Sequence, residues 1–292
     1  MALTIQTETS DAISLEEYLE HVTHRVDPSD TDQVIESAPK LAALANNRTF
    51  LVEKFNQELR DWRSFQPTNA YSAQTLTLGG GERFFVRANM WAPPSDTGQV
   101  WDWQSRLFAY SRPHDHNFSF LTVGYIGGGY GTKIYEYDPD TVRGEVGERV
   151  DLRYLETTAL PAGKVMFYRA SRDIHSQSPP SEFSMSLNFM VVSPEVAARE
   201  QYWFDLEAGT ITGRVQNPGS CREMIVRLAA HVGDGATANL LEDIAATHVF
   251  PRVRAAAYRS LAHLEPGRGA EIAALAAGDR DPSVRAAAAL GV

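Results

Sequence analysis

A single cysteine, Cys221, is all the sequence holds, so no disulfide can form within the chain. Basic residues are in the minority: 27 Lys and Arg against 37 Asp and Glu give a formal net charge of −10 at pH 7, with no basic tract anywhere. Nucleic acid and anionic membrane surfaces need a positive patch to bind, so neither is expected as a partner. Also missing is any apolar run approaching the roughly 20 residues that cross a bilayer. The opening MALTIQTETSDAISLEEYLE has neither the charged n-region nor the apolar h-region of a secretion signal, and the expected location is cytoplasmic. Histidine is scarce as well, with eight residues in the chain, yet two of them fall in the short stretch RPHDHN (112–117).

What is present falls into three textures. Residues 1–65 read as an N-terminal helical segment: Ser14 followed by Glu17 is a capping-box start for LEEYLEHV, and Leu41, Leu44, Phe50, Leu51, Phe55 and Leu59 are spaced to make an apolar stripe. Residues 66–195 turn to short aromatic and β-branched runs, RFFVRANMW, FSFLTVGYI, TKIYEYD, KVMFYRA and SMSLNFMVV among them, divided by turns such as GGGYG, DPDT and LPAGK. Many short strands so divided predict a sandwich or barrel. Residues 196–292 return to helix and carry an internal repeat: DIAATHVFPRVRAAA (243–257) matches ALAAGDRDPSVRAAA (274–288), aligning Pro251 with Pro282 and Val253-Arg254 with Val284-Arg285. An apolar seam is expected from Val253, Leu261, Leu264, Ile272, Leu275, Val284 and Leu290. So few repeats need a surface to dock on, either the rest of the chain, a protein partner or a second subunit.

The middle region carries the chemistry. If HDHNFSFLTV enters a strand, His114 and His116 at i and i+2 point to one face of the sheet, and Asp115 to the other. A third donor from another strand would cap one face of a metal ion, and His175, which follows LPAGKVMFY in SRDIHSQS, is the candidate. His21 and His24, three apart on a predicted helix, have no third partner nearby and read as helix surface.

RPHDHNFSFLTVGYIGGGYGTKIYEYD resembles the first metal motif of the cysteine dioxygenase family of cupins, with its His-Asp-His core, aromatic-leucine pair and Gly turn. DIHSQSPPSEFSMSLNFMVVSP is similar to that family's third-histidine segment and the Ser-Leu strand after it, so the resemblance spans roughly residues 83–194. The C-terminal repeat resembles short, alanine-rich HEAT-like repeats. The resemblance implies a mainly β cupin fold, a double-stranded β-helix or jelly-roll barrel, flanked by N-terminal helices and the helical repeats. It also implies Fe(II) held by His114, His116 and His175, acting on a small-molecule substrate with O2. Three histidines suit Ni, Cu and Zn too. No acidic fourth ligand follows, since Phe120 and Leu121 stand where many cupins have a glutamate, and a 2-oxoglutarate oxygenase would need a carboxylate in place of His116.

Arg87 lies close to where the family keeps an arginine that grips the substrate carboxylate, with Arg83, Arg112 and Arg172 as rivals. The strand after the third histidine departs from the family's Ser-x-His-x-Tyr relay: it reads Ser186, Asn188, Met190, keeping serine and losing the histidine and tyrosine. Tyr125, Tyr135 and Tyr168 are candidates to supply a phenol instead. The expected activity is a 2-oxoglutarate-independent iron oxygenase of specialised metabolism, acting on a small amino- or thiol-bearing carboxylic acid or a derivative of one, other than free cysteine. A ligand-binding regulatory cupin and a non-oxidative cupin isomerase or lyase are the alternatives.

Overall fold

The computed structural model describes residues 3–61, 63, 66, 69, 74–95 and 97–289. A short strand, β1 (Leu3–Ile5), precedes four helices, α1 (Leu15–Arg25), α2 (Thr31–Glu36), α3 (Ala38–Asn46) and α4 (Phe50–Arg60). The capping box at α1 forms as the sequence predicts, with the Glu17 amide donating to Ser14 Oγ at 3.1 Å and the Ser14 amide to Glu17 Oε2 at 2.8 Å. The β region holds β2 (Thr75–Gly80), β3 (Phe84–Trp91), β4 (Phe120–Ile126), β5 (Gly131–Glu136), β6 (Arg153–Ala159), β7 (Val165–Tyr168), β8 (Asp173–Ser178) and β9 (Ser184–Val191), with α5 (Gly98–Leu107) between β3 and β4. After α6 (Pro194–Ala197) come β10 (Tyr202–Asp205), β11 (Thr210–Arg214) and five helices, α7 (Pro218–Val232), α8 (Gly235–Thr247), α9 (Pro251–Leu264), α10 (Gly269–Ala277) and α11 (Pro282–Ala289).

The strands form an antiparallel six-stranded sheet in the order β1-β7-β4-β9-β3-β2 and a second sheet, β6-β5-β8. The second sheet is prolonged by residues 113–115. His114 exchanges both backbone hydrogen bonds with His175 on β8 (3.1 and 2.9 Å), and Phe204 on β10 donates to the Pro113 carbonyl (2.9 Å). Strand periodicity sorts the large sheet's side chains. Val86, Ala88, Leu121, Val123, Leu187 and Phe189 face Tyr18, Val22, Leu41 and Leu44 of α1 and α3 in one apolar core. The alternate positions, Trp91, Phe120, Met166, Tyr168 and Met190, pack with Ile134 of the second sheet. The interior between the sheets is thus a separate compartment from the core under the helices.

Two stretches differ from the sequence expectation. The N-terminal segment is not wholly helical, because β1 pairs with β7, and the stretch from 196 onward opens with the β10–β11 hairpin. The hairpin has its own logic: Tyr202, Trp203 and Phe204 are strong strand formers, and Gly209 takes the positive φ (63°) that closes the turn. The alanine-rich signal that predicts helix begins only after it. In the helical region Pro218, Pro251 and Pro282 each start a helix, where a missing N–H costs nothing, so the proline pattern extends to α7. Central α9 packs against α7, α8, α10 and α11. Val226, Leu241, Val253, Leu261, Ile272 and Val284 share one core, Leu264 is partly buried against it, and Leu275 is exposed at 51% on the outer side of α10. Leu290 lies outside the described residues. Among the described residues no helix is long and apolar enough to cross a membrane.

Candidate metal centre

β4 begins at Phe120, so His114 and His116 do not sit on that strand but in the segment before it. Their common direction has another origin: residues 113–115 are held extended between β8 and β10, and alternation along that short ladder turns both imidazoles inward and Asp115 outward. His175 reaches the same point from β8. The Nε2 atoms of His116 and His175 are 3.0 Å apart and those of His175 and His114 3.3 Å, and the three potential ligand atoms all lie within 4.8 Å of one another. An ion bonded to imidazole nitrogens at about 2.1 Å sets two of them about 3.0 Å apart at a right angle and about 3.4 Å apart in a tetrahedron. Two of the three separations therefore match those a divalent transition metal imposes.

The protonation states agree. Burial pushes the His114 imidazole down to about 4, against the opposing pull of the Arg112 carbonyl. Burial holds His116 and His175 well below the ordinary value, helped by the neighbouring imidazoles. All three are neutral near pH 7, as ligation requires. His114 Nδ1 lies 2.7 Å from the Arg112 carbonyl, and a proton donated there leaves the Nε2 lone pair facing the other two rings. Asp115 stays out of the cluster. Its Oδ2 accepts from Tyr137 Oη (2.7 Å) and its Oδ1 from the Tyr202 amide (2.6 Å), while burial raises its carboxyl to about 7 against those two bonds. Among the described residues no carboxylate joins the three histidines.

A cavity of about 110 Å³ opens beside the rings, and Arg87, Asn89, Asn188, Gln177, Trp91 and Tyr130 are among its walls. Register explains the company. Arg87 on β3 stands opposite Asn188 on β9, which stands opposite Thr122 on β4, and Thr122 Oγ1 donates to Asn188 Oδ1 at 2.6 Å. Of the four arginines weighed from sequence, Arg87 lines the cavity, with its guanidinium 5.9 Å from the Phe118 ring centroid. Arg83 pairs with Asp27 at the surface, Arg112 lies over the Trp203 ring (4.2 Å), and Arg172 is exposed. Ser186 and Met190 share the interior face but lie outside the cavity lining: Ser186 Oγ accepts from Trp91 Nε1 (3.1 Å), and Met190 packs with Phe120 and Tyr168.

The candidate tyrosines separate in the same way. Tyr168 is stacked on Phe120 and set edge-on to His175 (5.1 Å), Tyr125 faces the helices and donates to the Asn47 carbonyl, and Tyr135 packs on Tyr154. Sequence reasoning missed Asn89, Trp91, Gln177 and Tyr130. A period-2 count from Arg87 along β3, and from His175 along β8, would have found the first three.

No protein-family model matches the chain, and no curated protein matches it. Solved structures do. DMSP lyases align at 11% identity over 45% of this chain and 52% of theirs, with a TM-score of 0.27, so the chain spans about half the length of those proteins. A cupin domain from Bordetella pertussis aligns at 13% identity over 43% of this chain and 98% of that one (TM-score 0.24). Hydroquinone 1,2-dioxygenase from Sphingomonas sp. TTNP3 aligns at 8% identity over 44% and 72% (TM-score 0.28). A likeness this slight assigns no role to any residue, and the three convergent imidazoles stand on the geometry of this chain alone.

Proposed function

We propose that the β region is a cupin barrel housing a mononuclear Fe(II) centre on His114, His116 and His175. Its reaction is the 2-oxoglutarate-independent oxidation, by O2, of a small amino- or thiol-bearing carboxylic acid other than free cysteine. The observation that carries the reading is the meeting of three neutral imidazoles, two buried and one half-buried, with one guanidinium around a cavity of about 110 Å³. Bound iron would supply O2 activation and a charge that favours anionic, chelating substrates. Everything else falls to the chain. Arg87 grips the substrate carboxylate and so orients the reacting atom, since a guanidinium offers two parallel donors to a carboxylate. Asn188, fixed by Thr122, forms the wall beside Arg87, and Trp91, Phe108, Phe120 and Tyr130 exclude water. The cavity falls well below the 300 Å³ or so of ordinary ligand pockets, which restricts the substrate to a few non-hydrogen atoms. Asn188 and Met190 in place of histidine and tyrosine favour a substrate other than cysteine, and the helical region fits a short HEAT-like stack attached to the barrel.

The test is metal analysis of anaerobically purified protein, then O2 uptake against a panel of small amino acids and thiols. One iron per chain and O2 consumption with a carboxylate-bearing member of the panel are expected. Undiminished turnover under strict anaerobiosis would overturn the oxygenase reading, and efficient conversion of free cysteine to its sulfinic acid would overturn the substrate reading.

A further inference from the structure

A second cavity, of about 580 Å³, lies where the barrel meets the helical stack. One wall is the connection after β5 (139–143) with Tyr137, Ser171 and Tyr202. The other is the two turns that carry the sequence repeat, Val249–Pro251 before α9 and Arg280–Ser283 before α11. The size suits a metabolite, and Pro139, Val142, Val249 and Pro251 offer an apolar bed for its body.

The polar lining offers two arginines to an anionic head. Arg143, Arg199 and Arg280 are exposed on the cavity; Arg143 lies 3.9 Å from both Glu145 and Glu148, while Arg199 and Arg280 make no ion pair among the described residues. Of the acids in the lining, Asp281 is engaged by the Ser283 amide and hydroxyl (2.9 and 2.6 Å) and Glu200 by Arg252, which leaves Asp140 and Glu195 exposed. The Ser171 hydroxyl, on a residue 3% exposed, has no hydrogen-bond partner among the described residues.

Three groups of the cavity wall hold the segment between the metal ligands. Tyr137 Oη donates to Asp115 Oδ2 (2.7 Å), the Tyr202 amide to Asp115 Oδ1 (2.6 Å) and the Ser171 amide to the His116 carbonyl (2.6 Å). A ligand that shifts this wall shifts the mounting of His114 and His116. We propose that the cleft binds an organic phosphate, its oxyanion held by Arg199 and Arg280, and that occupancy alters how firmly the histidine cluster retains a bound metal. The binding half stands whether or not the barrel is an oxygenase; the coupling half rests on the metal-site reading.

The iron-loaded full chain is titrated by calorimetry with inorganic phosphate and with adenosine monophosphate. Saturable binding of both is expected, the nucleotide tighter because its body covers the apolar bed. Arg199→Ala and Arg280→Ala should each weaken it about 10-fold or more, as loss of a charge-assisted hydrogen bond does, with thermal midpoints unchanged. The rate of iron loss to a chelator should change on saturation in the parent protein and not in Tyr137→Phe, which keeps the ring and removes the bond to Asp115. Absence of binding by both probes at millimolar concentration, or binding indifferent to both arginine changes, would overturn the site. An iron-loss rate in the parent unaffected by saturation would overturn the coupling.

Discussion

The space between the two sheets and the helical stack both bury ionisable groups, and they treat them in opposite ways. In the stack Arg254, 2% exposed, meets Asp279 through two parallel bonds (2.9 and 2.8 Å) and gives a further proton to the His248 carbonyl (2.8 Å). Every strong bond it makes is to the protein, so the group is structural. Between the sheets, His114 and His175 are 7% and 2% exposed and His116 is half-buried, yet their Nε2 atoms face one another, and His175 Nδ1 has no partner among the described residues. A buried polar group costs free energy unless something satisfies it, so convergent lone pairs beside a cavity mark a place built for a guest, whereas a closed bidentate pair marks a place already full.

The contrast can be broken most directly at the cluster. His175→Ala should lower iron affinity and turnover by 100-fold or more, beyond the roughly 10–100-fold that even outer partners of a metal site contribute. Metal content by plasma emission and O2 uptake measure it, and a variant that held iron and turned over like the parent would remove His175 from the ligand set. On the other side, Asp279→Ala leaves a buried guanidinium without its partner and should destabilise the fold by about 3–5 kcal/mol while the barrel's iron content stays at one per chain. Denaturant unfolding followed beside metal analysis checks both halves.

Arg87 sharpens the comparison because it is a buried cation on the guest's side of the divide. Arg87→Ala should raise KM for the carboxylate substrate by about 10–100-fold, the worth of a charged hydrogen-bond pair, with iron content unchanged. Equal losses of iron and of substrate affinity would make it a structural group like Arg254. The smallest effect concerns Glu136. Burial pushes its carboxyl up, but hydrogen bonds from Arg169 and Arg153 outweigh this and hold it at about 2. A carboxyl depressed by folding stabilises the protein above its unfolded pKa of about 4.3, and that contribution is lost as pH falls from there towards 2. Glu136→Gln should flatten the stability profile over that window by about 1 kcal/mol, since part of the pair is exposed.

Much of the site was legible because it is written in short periods. His114 and His116 two apart, and a third histidine after a turn and a strand, are local patterns, and Arg87 and Asn188 fall on one face by strand alternation. What could not be read is what arrives from far along the chain. The clamp on Asp115 comes from Tyr137, 22 residues on, and from Tyr202, 87 residues on, and no motif ties those positions together. The β10–β11 hairpin was hidden inside a stretch whose overall composition signals helix. Leu275 was misplaced for the same kind of reason: an apolar spacing predicts a face, but not which face the neighbouring helix will cover.

The backbone pair between His114 and His175 joins residues 61 apart, and its two hydrogen bonds form between protein groups with no ion taking part. Closing a loop of that length costs entropy that grows only with the logarithm of its length, and the polypeptide bears that cost in folding, not in ligation. A metal bound there would then draw on donors that the backbone holds together, unlike the small metallo-domains in which binding and folding are one event. Stripping the ion with a chelator should leave near-ultraviolet dichroism and protease resistance intact, and iron returned to the stripped chain should bind without a refolding delay.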